Sequence, residues 1–137
     1  EIHASILLKK LKHLDSYINR RQQLAKQYNE LLKDTSLLLP FEAEYGKHSY
    51  YLYVVRHPQR DFIIEEFKKQ NILVNISYPW PIHTMTGYNN LGYKKGDLPV
   101  TEKMADQIFS LPMYPSLTDK QQLTVCKALH KILKETE

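Results

Sequence analysis

Apolar residues recur at helical spacing from the start of the chain. Ala4, Leu11, Ile18, Ala25 and Leu32 form one row, and Leu7, Leu14 and Tyr28 fill the complementary positions. The spacing of seven is nearly two turns of an α-helix, so both rows share a face and residues 1–33 are predicted to form one long helix. Arg21 interrupts the second row, which argues against a pure coiled-coil seam. At about 1.5 Å per residue such a helix would be roughly 50 Å long, and a helix of that length is expected to bridge two bodies.

Beyond a loop over 34–47, punctuated by Pro40 and Gly46, the pattern changes. Residues 48–56 are dense in tyrosine and valine and read as a strand ended by His57-Pro58. Asp61 is the expected N-cap of a short helix from Phe62 to Gln70. Ile72, Val74 and Ile76 then alternate with Leu73 and Asn75, the period of a second strand. A helix is predicted from Thr101 to about Phe109, then an extended piece from Ser110 to Tyr114. Thr118 and Gln121 have capping-box spacing and open a last helix with Val125, Leu129 and Ile132 as its buried stripe. The expected fold is α+β: a long N-terminal helix plus a short, mostly antiparallel sheet with helices packed on one face.

The segment 77–99 has no sustained period. It holds prolines at 79, 81 and 99, glycines at 87, 92 and 96, and the aromatic side chains of Tyr78, Trp80, Tyr88 and Tyr93. A long irregular stretch within a compact domain is either functional or disordered, and its aromatic content argues against disorder. Pro79 and Pro81 stiffen the chain as it leaves the strand and hold Tyr78, Trp80 and His83 in fixed relation. A phenol, an indole and an imidazole on a stiff loop suit a sugar or nucleotide, whose ring the aromatic faces cover and whose hydroxyl or phosphate groups the polar atoms bind. The same residues would serve equally as a packed loop covering the sheet, and spacing alone leaves both readings open.

Composition narrows the field. A length of 137 residues, 42% hydrophobic and 25% charged, is ordinary for one globular domain. No apolar run approaches the roughly 20 residues of a membrane span, and charges intersperse the opening residues, so neither a membrane helix nor a signal peptide is expected. The chain starts at Glu1, without methionine and directly in helical periodicity, which leads us to expect a piece of a longer chain. Cys126 is the only cysteine, expected as a small buried group in a reducing cytoplasm. The net charge of +4 is mild, and the lysines and arginines are scattered in small groups, a pattern of solvated faces rather than a nucleic-acid stripe.

Several chemistries lack their residues. With four glycines in the chain there is no glycine-rich phosphate loop. The histidines, His48 and His57 included, have no metal-ligand spacing, and no nucleophile elbow is present. No catalytic, cofactor-binding or metal-binding residue can therefore be named.

Read in order, however, the motifs carry a resemblance. They are the opening helix 1–15, Arg20-Arg21, Ala25-x-x-Tyr28 and Tyr50-Tyr-Leu-Tyr-Val-Val-Arg56. Tyr-Pro-x-Pro-x-His follows at 78–83, then Gly-Tyr-Lys-Lys-Gly-Asp at 92–97, Leu-Pro-x-x-Glu at 98–102 and Ser-Leu-Pro-Met-Tyr-Pro at 110–115. Together they resemble the C-terminal region of the DegT-type nucleotide-sugar aminotransferases, fold-type-I pyridoxal-phosphate enzymes, over nearly the whole chain. The loop at 78–83 and the run at 92–97 look most like the branch that aminates keto-deoxyhexoses on nucleotide diphosphates.

The resemblance implies that 1–137 is the small domain of such an enzyme. Its parts would be a bridging helix at 1–33, strand-helix-strand at 48–76, a substrate-facing loop at 77–99 and helix-strand-helix at 101–134. It implies pyridoxal phosphate held by a preceding large domain with the Schiff-base lysine, glutamate as amino donor, a homodimer, and neither a nucleic-acid nor a membrane partner. It also implies substrate contacts from Ser77, Tyr78 and His83. Where relatives commonly carry histidine before Tyr-Pro, this chain has Ser77, whose hydroxyl can bond a phosphate or sugar oxygen but carries no charge near neutral pH. The competing readings are a non-catalytic domain or remnant binding a nucleotide sugar or a protein partner, and, on charge alone, a nucleic-acid binder.

Overall fold

The computed structural model describes residues 1–136. In chain order it contains α1 (Ile2–Leu11), α2 (Leu14–Leu32), β1 (Tyr53–Arg56), α3 (Arg60–Lys69), 3-10 turns at Ile82–Thr84 and Thr86–Leu91, α4 (Pro99–Ala105), β2 (Ile108–Leu111) and α5 (Asp119–Lys134). β1 and β2 pair antiparallel, with Tyr53 opposite Leu111 and Val55 opposite Phe109. Single antiparallel bridges extend the pair on each side, Leu38 to Arg56 and Asn75 to Ser110. Because strand side chains alternate, Tyr53, Val55, Phe109 and Leu111 point to one face, and all four are buried. Leu24, Tyr28 and Leu32 of α2, Ile63 and Phe67 of α3, and Val125, Leu129 and Ile132 of α5 complete the same core. The α+β fold with helices on one face of a short antiparallel sheet is thus as expected.

The opening segment departs from expectation: residues 1–33 form two helices, not one. At the junction the His13 amide bonds the Lys10 carbonyl at 2.9 Å, a tightened turn. Ser16 Oγ donates back to the His13 carbonyl at 2.7 Å, the local side-chain competition that bends helices. The heptad row divides at this break. Ala25 and Leu32 are buried in the core, whereas no residue of α1 is buried.

Smaller departures have local causes. The first strand is confined to Tyr53–Arg56 because Tyr50, at φ 48°, turns the chain out of extended conformation just before it. The alternation at 72–76 is real, with Ile72, Val74 and Ile76 packed on the core and Leu73 exposed, but only Asn75 is bridged. Asn75 and Ser110 exchange both backbone hydrogen bonds, so the next such pair would join Leu73 to Pro112, which has no N–H to donate. α3 starts two residues earlier than expected, with Gln59 as N-cap and Asp61 in its first turn beside Arg60. α4 begins at Pro99, a residue suited to the first helical position, and releases Ile108 and Phe109 into β2. The Thr118–Gln121 capping box forms as expected.

Candidate functional site

The irregular segment leaves the sheet at Asn75, and its first side chain, Ser77, accepts a hydrogen bond from Asn75 Nδ2 at 3.1 Å. Tyr78 and Trp80 follow on the surface, 74% and 66% exposed. After Pro81, in extended conformation, a single 3-10 turn carries His83 inward, where it is 6% exposed. Ser77, Tyr78 and His83 therefore do not converge. His83 instead joins Trp80, Asn89, Tyr93, Lys94 and Lys95 around a cavity of about 530 Å³ that Ser77 and Tyr78 do not line.

Glu102 organises this cavity. Its carboxylate accepts from His83 Nε2 at 2.9 Å and from the Gly96 amide at 2.8 Å, with the Leu98 amide farther off at 3.4 Å. Gly96 has φ 99°, a backbone geometry that glycine adopts without steric cost. The His83 hydrogen bond, then the Gly96 amide, hold the Glu102 carboxyl below its ordinary range. Glu102 was not among the expected site residues. The only sequence signal for it was its place in the Leu-Pro-x-x-Glu motif, which says nothing of a partner nineteen residues away.

Other chemistry-bearing groups have structural duties. Arg21 Nη1 donates to the carbonyls of Tyr50, Tyr51 and Met113, and Arg20 ties α2 to Leu117 and Asp119. The Arg20-Arg21 motif thus clamps α2 to two loops. His57 lies 3.2 Å from Ser36 Oγ, but its Nδ1 accepts the Gln59 amide, so Nε2 carries the proton and faces the hydroxyl as a donor, not as a base. Burial pushes the Cys126 thiol up to about 11, far from a reactive thiolate. Among the described residues no group of three or more histidine, cysteine or acidic side chains could hold a metal ion.

A second hollow, of about 910 Å³, runs along α1 and the start of α2 between Leu7, Leu8, Leu11, Tyr17 and Pro115. Among the described residues no helix is long and apolar enough to cross a membrane.

These features define a small α+β domain that buries its own core, leaves one apolar helix uncovered, and presents a proline-stiffened aromatic loop beside a carboxylate–imidazole pair. The chain belongs to the DegT/DnrJ/EryC1/StrS aminotransferase family, whose model matches residues 1–130. It is 46% identical over 138 aligned positions to the dTDP-3-amino-3,4,6-trideoxy-alpha-D-glucose transaminase of Micromonospora megalomicea, covering 97% of this chain and 37% of that protein. It is 31% identical to the UDP-2-acetamido-2-deoxy-3-oxo-D-glucuronate aminotransferase of Pseudomonas aeruginosa, covering 93% of this chain and 35% of that enzyme. The crystal structure of DesV from S. venezuelae superposes with a TM-score of 0.90 at 32% identity, over 93% of this chain and 35% of that one. The chain thus spans about a third of the length of these relatives.

The family implies pyridoxal phosphate, whose covalent anchor is a lysine amine made nucleophilic by a desolvated or cationic setting. Every lysine of this chain is exposed. The residues present do not fit that anchor, and no step of its chemistry is assigned to them.

Proposed function

We propose that this chain is the small, C-terminal domain of a pyridoxal-phosphate-dependent transaminase that moves an amino group from glutamate to a keto-deoxyhexose of a nucleotide diphosphate sugar, for cell-surface polysaccharide or glycan synthesis. The enzyme works as a homodimer in the cytoplasm, and the Schiff-base lysine belongs to a large domain outside these residues. The observation that carries the reading is the family match across nearly the whole chain, supported by the sugar substrates in the relatives' names. The bound cofactor supplies the amino-group carrier. This chain supplies the wall that recognises the sugar.

Within that wall, Tyr78 and His83 contact the nucleotide sugar and Ser77 plays a secondary part. Tyr78 is suited to this because its phenol is exposed on a proline-stiffened loop and has no competing partner among the described residues. His83 is suited because it borders the cavity from a fixed position. The bridging segment 1–33 docks the domain on the large one through the apolar side chains of α1, and the break at Lys12–His13 divides a docked half from a half that belongs to this core.

The test uses the enzyme expressed from the complete reading frame that contains this chain. It is given glutamate and dTDP- or UDP-linked keto-deoxyhexoses, and the amino sugar is followed by mass spectrometry. Amino-sugar formation at the expense of glutamate supports the reading. A folded, cofactor-bearing protein that aminates none of them refutes it and leaves a non-catalytic nucleotide-sugar or partner-binding module. Tyr78→Phe and His83→Ala should each lower sugar turnover about ten- to hundredfold, the cost of leaving a buried polar group of the ligand unpaired. The glutamate half-reaction should stay nearly intact. Equal loss in both half-reactions would mean that the loop is packing.

A further inference from the structure

We infer that Glu102 is a positioning residue: it fixes the tautomer of His83 and fastens the 94–98 segment, so that the ring nitrogen left free, Nδ1, is a hydrogen-bond acceptor for a ligand hydroxyl. The inference rests on the reading that this loop faces the sugar, and adds a residue and a polarity to it. Three observations carry it. The Glu102 carboxylate has no proton to give, so the 2.9 Å contact requires His83 Nε2 to carry one. The same oxygen takes the Gly96 amide, so one carboxylate joins the histidine turn to the segment bearing Lys94 and Lys95. Finally, His83 Nδ1 is buried and has no hydrogen-bond partner among the described residues.

A buried ring nitrogen without a partner is costly, so His83 Nδ1 calls for a donor from outside the chain. Lys94, Lys95 and Asp106 also line the cavity, so the imidazole sits among charges of both signs. With Nε2 committed to Glu102, a neutral ring offers Nδ1 as a lone pair. In that state it can accept from a ligand O–H and has no proton for a phosphate oxygen, which favours the hydroxylated ring over the diphosphate. Glu102 acts through His83 and need not touch the ligand.

The test is made on the chain itself, uniformly labelled with nitrogen-15, by ring-nitrogen correlation spectra and amide hydrogen exchange in mildly alkaline buffer. His83 should show the Nε2–H tautomer alone, with that proton protected from water. Glu102→Gln keeps an acceptor oxygen and should keep the tautomer. Glu102→Ala should give a tautomer mixture, lose the protected proton and speed Gly96 amide exchange about tenfold or more. An Nδ1–H tautomer in the wild type would overturn the inference. So would a Glu102→Ala chain whose ring and Gly96 amide behave as in the wild type, or a Glu102→Gln chain that behaves like Glu102→Ala. Should Glu102→Ala fail to fold, the wild-type tautomer and its retention in Glu102→Gln still decide the matter. No sugar enters these measurements, so their failure leaves the sugar-binding role of Tyr78 and His83 to be judged by turnover, and the reverse.

Discussion

Arg21 Nη1 stands 2.8 Å from the carbonyl of Tyr51 while its guanidinium lies over the Tyr51 ring, 5.7 Å from the centroid. The same nitrogen reaches the Tyr50 carbonyl at 3.2 Å and the Met113 carbonyl at 3.1 Å. It thereby holds α2 to both the approach to β1 and the exit from β2. Arg21→Ala should cost about 2 kcal/mol, the worth of charged hydrogen bonds to otherwise unpaired carbonyls, read as a lower urea midpoint. Arg21→Lys should recover less than half of the loss, because an ammonium lacks the planar fork and its stacking. A Lys variant as stable as the wild type would show that charge alone suffices.

The alternation of buried and exposed positions around α3 and the following extended segment gives a sharp contrast. Phe67 is fully buried in the core, and Phe67→Ala should destabilise by about 3–5 kcal/mol through lost burial and a cavity. Leu73 lies on the outer face of its segment, 82% exposed, and Leu73→Ala should change stability by less than about 0.5 kcal/mol. Urea unfolding of the two variants, with slopes unchanged, checks both numbers.

Stability should fall as the medium becomes mildly acidic, and His57 is one cause. Burial lowers its pKa below the ordinary 6.5, since the cation is disfavoured inside. The unfolded chain therefore takes up a proton first as pH falls. The contribution of neutral His57 is full above 6.5 and is lost as pH falls from there through the folded value. His57→Asn can still accept the Gln59 amide but does not titrate, so its stability should vary less with pH just below 6.5. Equal slopes in wild type and variant would remove His57 as the cause. The Glu102 carboxyl, whose folded pKa is depressed, acts later. Its contribution is present above its ordinary 4.5 and is lost as pH falls through the folded value.

Pyridoxal phosphate mixed with the chain and reduced with borohydride should give only scattered, substoichiometric labelling. The reason is that every lysine is exposed, so none has the desolvated pocket that activates such an amine. One lysine labelled stoichiometrically, seen by peptide mass spectrometry, would contradict this.

Amide exchange should separate the two opening helices. Ile2, Leu7, Leu8 and Leu11 are all more than half exposed, and α1 contributes no buried residue. Amides of residues 4–12 should exchange much faster than those of 24–32 in a demonstrated monomer, since local openings there break no core contacts. Equal protection would mean that α1 is held by contacts within this chain.

Much of this architecture was legible in the amino-acid order, for reasons that differ by element. The capping box at Thr118 and the stripe Val125, Leu129, Ile132 were legible because their signals are local and agree. The break after Leu11 was not, since apolar spacing continues across it while Ser16 and the Lys10 carbonyl decide the turn. Residues 48–52 have strand composition, yet Tyr50 at positive φ keeps the strand from starting before Tyr53, and no residue type announces that. At the site, the loop and its aromatic content were visible. The inward turn of His83 was not, because the partner that holds it lies on α4, beyond the irregular segment. Side-chain pairing across nineteen residues leaves no periodic trace.

Pro112 has a consequence for how this chain meets its neighbours. The backbone edge of β2 beyond Asn75 is the kind of template on which a strand from another molecule could align and start a ribbon of stacked chains. At the position where such a visitor would look for its next N–H, it meets a pyrrolidine ring. The residue that keeps this sheet short would therefore also deny such a visitor its donor, and a β-branched residue in its place would restore it.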